Sequence, residues 1–187
     1  MLNKLCPNFT IWFTGFSASG KSTLANNLQQ SLLKKGVGSV VLDGDEIRRT
    51  VNSDLKFTIP DREENNRRVA EIARIINNCG IISICALISP TNKIRDEIRS
   101  IIGDEKFLLI YVDTPIKECE KRDNKFLYQK ARAGEIKNFT GLTSIYEIPF
   151  NADIIVDGLK PIDENIEQLL TKLNSYLPYN TTDRIPH

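Results

Sequence analysis

The stretch that most restricts the fold runs from Phe9 to Lys35. Residues 9–16, FTIWFTGF, form a continuous apolar and β-branched run that ends in glycine, the pattern of a strand buried on both faces. Residues 21–35, KSTLANNLQQSLLKK, set Leu24, Leu28 and Leu32 at helical spacing, and Gly36 stops the helix. Between them stands GFSASGKST, residues 15–23. Gly15-x-x-x-x-Gly20-Lys21-Ser22 fits the phosphate-binding loop pattern GxxxxGK[ST], in the strand–turn–helix setting that the pattern requires. Gly15 and Gly20 take backbone angles that other residues resist. The backbone N–H groups across Ser17, Ala18, Ser19, Gly20, Lys21, Ser22 and Thr23 then converge on phosphate oxygens, helped by the helix N-terminus. Lys21 neutralises the β- and γ-phosphates and the Ser22 hydroxyl ligates magnesium. The loop is therefore expected to hold a nucleoside triphosphate with Mg²⁺.

The rest of the chain repeats the alternation. Strands are expected at 38–43, 81–88, 106–113 and 152–158, and helices at 61–80, 91–102, 114–123 and 161–177. On the helix at 61–80, Val69, Ile72, Ile75 and Ile76 share the apolar face. Such alternation implies right-handed parallel crossovers: an α/β, three-layer fold with a central, mostly parallel five-stranded sheet. One domain over residues 1–177 is expected, with a loosely ordered tail at 178–187. Residues 123–151 break the rhythm, and a long segment of that kind in a small domain reads as a lid.

Composition excludes several functions. A net charge of +1 gives no global bias toward nucleic acid or an acidic membrane. The single histidine is His187, the last residue, so histidine acid–base chemistry is not expected. Cys6, Cys79, Cys85 and Cys119 form no CxxC pair and no zinc pattern; reduced thiols and a cytoplasmic location follow. The first residues carry neither a membrane span nor a secretory cleavage pattern.

The destination of the phosphoryl group is written further along. LDGDEIRR closes the second strand, and in parallel sheets ligands bind beyond the carboxyl ends of strands. Asp43 and Asp45 thus stand near the loop, one to support the metal and the other to accept a hydroxyl proton; either also suits a helix cap. Arg48 and Arg62 suit phosphate or sulfate oxygens. Phe57 and Phe139 suit either a core or the two faces of a base.

Taken together, IWFTGFSASGKSTLA, LDGDEIR, DREENNRRVAEIA, ISP at 88–90, VDTPIKECEKRD, LYQKARAGEIKNFTG and YE at 146–147 resemble the adenylylsulfate kinase (APS kinase) family, in family order over roughly residues 9–150. KARAGEIKNFTG is the most specific of them. The resemblance implies transfer of the ATP γ-phosphoryl to the 3′-hydroxyl of adenosine 5′-phosphosulfate, by a homodimer acting on small nucleotides. It implies catalytic positions at Lys21, Asp43, Asp45 and Ser89, with Ser22 and Asp43 toward the metal. It places Arg122 with ATP, and Asp45, Arg48, Phe57, Arg62, Asn65, Ser89, Lys130 and Phe139 with the acceptor. Ser89 matches a serine described in the family as a phosphoserine intermediate; with no base beside it in sequence, a hydrogen-bonding hydroxyl is the simpler reading. The chain departs from the family at Lys56, Asn66, Phe126, Thr143 and Ile145, largely on the acceptor side. A related nucleotide bearing a sulfate-like or phosphoramidate-like group, such as one of the cytidine type, is thus an alternative acceptor. A non-catalytic ATP-sensing module and a water-using NTPase are further alternatives.

Overall fold

The computed structural model describes residues 8–174 and Tyr176; Cys6, His187 and the expected tail at 178–187 lie outside the described residues. Five strands, β1 (Thr10–Thr14), β2 (Ser39–Asp43), β3 (Ile82–Ala86), β4 (Phe107–Asp113) and β5 (Ile154–Asp157), make one sheet in the order β2-β3-β1-β4-β5. Every pairing is parallel, so the sheet is wholly rather than mostly parallel. Parallel strands bring the ends of β1, β2, β3 and β4 to one edge, and the loops that follow them meet there.

The period of two along β1 divides the core. Ile11 and Phe13 face α1 (Lys21–Lys34) and α7 (Ile162–Leu173), joined by Leu24, Leu28, Ile84, Ile110 and Leu169. Trp12 faces the other way, with Val69, Ala70 and Ala73 of α3 (Ile59–Asn78) and Ile94 and Ile98 of α4 (Asn92–Ile102). Helices on both faces of the sheet give the three expected layers.

Two expectations need correction. Ile75 does not share the apolar face of α3; it is 60% exposed, because two alanines, Ala70 and Ala73, bring the helix close to the sheet along a neighbouring stripe. A six-residue helix, α2 (Gly44–Arg49), follows β2 and was not expected. After α5 (Ile116–Arg122), the segment 123–151 contains α6 (Leu127–Arg132), whose Tyr128 and Ala131 pack with Cys119 and Phe139 in a small cluster of their own.

The close approach of β4, β5 and the loop after β1 fixes the site. Thr114 donates its hydroxyl proton to the Ser19 carbonyl at 2.9 Å. A Cβ at Gly158 would stand 1.8 Å from Thr114 Oγ1 and 2.9 Å from its Cβ. Thr114 is buried and committed to Ser19, so it cannot swing away cheaply. Gly158→Ala is expected to cost about 1–3 kcal/mol through overpacking and to lower the thermal midpoint by several degrees; an unchanged midpoint would show that the Thr114 wall yields.

Candidate active site

The loop between β1 and α1 is built on backbone that side chains resist. Gly15 (φ 148°) lies so close to β4 that a Cβ would meet the Val112 carbonyl oxygen at 2.8 Å. Gly20 (φ 103°) opens α1 in the left-handed region. Beyond Thr114, the loop is held by the Tyr128 hydroxyl of α6, which donates to the Ser17 carbonyl at 2.9 Å.

Two cavities meet on this loop. The larger, about 750 Å³, is lined by residues 17–24, Asp45, Arg122, Asn124, Lys125 and the turn at Gly158–Ile162. The smaller, about 130 Å³, is lined by Asp43, Arg48, Phe57, Arg62, Asn65, Asn66 and Ser89. Ser17, Ala18, Lys21, Ser22 and Asp45 line both. The larger cavity is of a size for a nucleoside triphosphate, and its shared wall is the phosphate-binding loop.

Lys21 lies at the junction. Its ammonium donates to the carbonyls of Phe16 (2.5 Å) and Gly15 (3.1 Å) and to Ser19 Oγ (3.4 Å). Burial pulls its pKa down from 10.5 to about 8, against the opposing pull of Cys119, Asp45 and Asp43. Asp43 is the helix cap weighed for it. Its Oδ1 caps α2 by accepting from the N–H groups of Asp45 (2.9 Å) and Glu46 (3.3 Å), while Oδ2 accepts from Ser22 Oγ at 2.5 Å. Ser22 and Asp43 are adjacent hard oxygen donors, a set that suits magnesium with phosphates and water completing its shell. Asp45 Oδ2 accepts from Lys125 at 2.5 Å.

The smaller cavity is basic at one end. The Arg48 guanidinium lies 4.8 Å and that of Arg62 5.8 Å from the Phe57 ring centre. Burial lowers both guanidinium pKa values, and Arg48 lowers that of Arg62 further. Two cations held together in a half-dry cleft favour an anion between them. Arg62 also reaches the 123–151 segment, donating to the Asn138 carbonyl (2.7 Å) and Thr140 Oγ1 (3.0 Å).

Not every expected residue converges. Phe57 is 59% exposed on the cleft, whereas Phe139 is 8% exposed inside the cluster around Tyr128, edge-on to that ring at 4.8 Å. The expected pair of rings does not face one cavity: Phe139 is a core residue of that cluster, and Phe57 is not a core residue. Lys130, on α6, is exposed and lines neither cavity. Asn65 is buried and accepts from Asn52 at 3.1 Å. Ser89 Oγ is buried between the Trp12 indole N–H (2.9 Å) and Asn66 Oδ1 (2.6 Å). The sequence reading did not give Lys125 or Asn66 a place in the site; their partners lie far along the chain and no local pattern announces them.

The lowered pKa of Lys21 has a consequence for stability. In the unfolded chain the lysine ionises near 10.5, so between pH 8 and 10.5 the unfolded state binds the extra proton and stability rises with pH. Below pH 8 the folded protein carries the whole cost, on the order of a few kcal/mol. In urea unfolding without nucleotide, Lys21→Met is therefore expected to gain stability over the wild type below pH 8, with the gain shrinking toward pH 10.5. A gain that stays level across that window would assign the effect to something other than the ammonium.

Comparison with known proteins agrees with this geometry. Residues 7–157 match the family model described as adenylylsulphate kinase. An adenylyl-sulfate kinase of Prochlorococcus marinus is 50% identical over 164 residues, 87% of this chain and 82% of the relative. One from Bacteroides thetaiotaomicron is 48% identical over 161 residues, 86% of this chain and 80% of the relative. The fold superposes with a TM-score of 0.87 on the Mycobacterium tuberculosis APS kinase CysC in complex with AMPPNP and APS, at 41% identity over 90% of this chain and 98% of that one. With a match running from the loop after β1 through α6 to β5, the chain belongs to the adenylylsulphate kinase family.

Proposed function

We propose that this protein transfers the γ-phosphoryl group of ATP to the 3′-hydroxyl of adenosine 5′-phosphosulfate, giving 3′-phosphoadenylylsulfate and ADP. The observation that carries the reading is the meeting of two cavities at Lys21, Ser22 and Asp45. ATP occupies the larger cavity, with its phosphates on the loop and its base toward Arg122. The acceptor occupies the smaller one, with its 5′ anion toward Arg48 and Arg62 and its base against Phe57, while Asn65 supports the wall.

The residues then divide the chemistry. Asp45 accepts the proton of the 3′-hydroxyl as that oxygen attacks the γ-phosphorus and the bond to the ADP oxygen breaks. Lys21 neutralises the phosphate charge as it redistributes. Ser22 and Asp43 would hold magnesium, which supplies charge neutralisation and alignment of the phosphates. Ser89 Oγ donates its proton to Asn66 and accepts from Trp12, an arrangement that supports direct transfer rather than a phosphoserine intermediate.

Residues 123–151 act as a lid within a single kinase domain. The bonds from Lys125 to Asp45 and from Arg62 to Asn138 and Thr140 support that role. Lid closure would bring Lys130 and Phe139 toward the acceptor. A homodimer in the cytoplasm is the proposed working state. The exposed Ile148 and Phe150, the free thiols of Cys79, Cys85 and Cys119, and a described hexameric APS kinase from Thiobacillus denitrificans (31% identity, TM-score 0.68, 29% of that chain covered) are in keeping with an assembling enzyme in a reducing compartment.

The test is ATP consumption with adenylylsulfate, with cytidine- and adenosine-linked sulfate or phosphoramidate analogues, and with no acceptor. Adenylylsulfate is expected to be the preferred acceptor, with the new phosphate located on the 3′-oxygen by NMR; consumption that ignores the acceptor would refute the reading. Asp45→Asn is expected to lower kcat about 10²–10⁴-fold, the range of a lost general base, while ATP binding persists. Ser89→Ala is expected to retain turnover, and a dead variant that still folds would restore the phosphoserine route.

A further inference from the structure

Ser89 adopts the left-handed backbone region (φ 45°), unusual for a residue with a side chain. Four hydrogen bonds surround it. Trp12 Nε1 donates to Ser89 Oγ at 2.9 Å, and Oγ donates to Asn66 Oδ1 at 2.6 Å. The Arg95 guanidinium (2.6 Å) and the Thr14 hydroxyl (3.4 Å) donate to the Ser89 carbonyl. Asn66 continues the series: its Nδ2 donates to the Arg62 carbonyl at 2.7 Å. An unbroken relay thus runs from β1, through the turn after β3, to α3. Trp12, Ser89 and Asn66 are all buried, so water cannot substitute freely for a missing partner.

The relay belongs to one side of the site. Ser89, Asn66 and Arg62 line the smaller cavity and none of them lines the larger. We propose that Asn66 is a positioning residue for the acceptor, setting the wall of the smaller cavity by holding Ser89 in its strained conformation. The proposal rests on reading that cavity as the acceptor site. Asn66 acts through Ser89: without Oδ1 the hydroxyl has no fixed direction, the Trp12 N–H loses a defined acceptor, and the turn after β3 is free to relax. The consequence falls on the acceptor and leaves the ATP side unchanged.

Trp12 is the single tryptophan and reports on the relay. Asn66→Leu keeps approximate size and removes the acceptor oxygen. It is expected to raise KM for adenylylsulfate about tenfold, roughly 1.4 kcal/mol, with KM for ATP and kcat changed less than about twofold. Trp12 emission is expected to shift in the same variant. Asn66→Asp keeps an oxygen toward Ser89 but loses the donor to the Arg62 carbonyl, so it is expected to restore the emission and only part of the adenylylsulfate KM. If the leucine variant fails to fold, Asn66→Ser, titrated with adenylylsulfate by Trp12 emission, is expected to show the same weakening.

Unchanged affinity for adenylylsulfate, or equal weakening toward both substrates, would overturn the positioning role. A wild-type protein that neither binds nor phosphorylates adenylylsulfate would instead overturn the functional reading. The two failures are therefore distinct.

Discussion

The site depends on how closely the loop after β1 is drawn against the ends of β4 and β5. Gly15 touches the Val112 carbonyl where a side chain would not fit, and Thr114 fastens Ser19 while Gly158 leaves room for Thr114. These contacts hold the loop against the sheet before any ligand is considered. A second fastening runs from Tyr128 to Ser17. Because the same loop forms the shared wall of both cavities, a displacement there would be felt in both at once.

Charge is distributed locally in a chain that is nearly neutral overall. Lys21, Arg48, Arg62 and Lys125 gather around two adjoining clefts, with Asp43 and Asp45 placed among them. Lys21 and Arg62 are buried, and burial weakens their hold on a proton. Such groups gain most from an anionic partner, since the partner removes a cost already present in the folded protein. A polyphosphate and a phosphosulfate are of the right sign and size for that exchange.

Much of this was legible in the sequence where the information is local. The strand, glycine turn and helix around residues 9–35 carry their own pattern, and alternation of strands and helices implied parallel pairing. The short helix α2 escaped because GDEIRR has too few residues to show a period. Ile75 escaped because helical spacing gives an apolar stripe but not its edges. Phe139 fits a base clamp and a core equally well by type, and only packing against Tyr128 separates the two. Asn66 stood out merely as a departure from the family pattern. Its bond to Ser89 joins positions 23 apart, and the Lys125–Asp45 pair spans 80; such pairings arise from topology rather than from any nearby run of residues.

Arg62 serves two masters with one planar group. Its guanidinium stands 5.8 Å from the Phe57 ring at the smaller cavity, and its NH1 and NH2 donate to Thr140 and Asn138. Thermodynamic reciprocity follows: any ligand of that cavity whose binding alters this grip alters the 123–151 segment, and any change in that segment returns to the ligand by the same factor. An anion strong enough to reorient the guanidinium would be sensed across the cleft, whereas a weak one would leave the segment as it was. Discrimination between ligands can in this way reside in the shared use of a single cation.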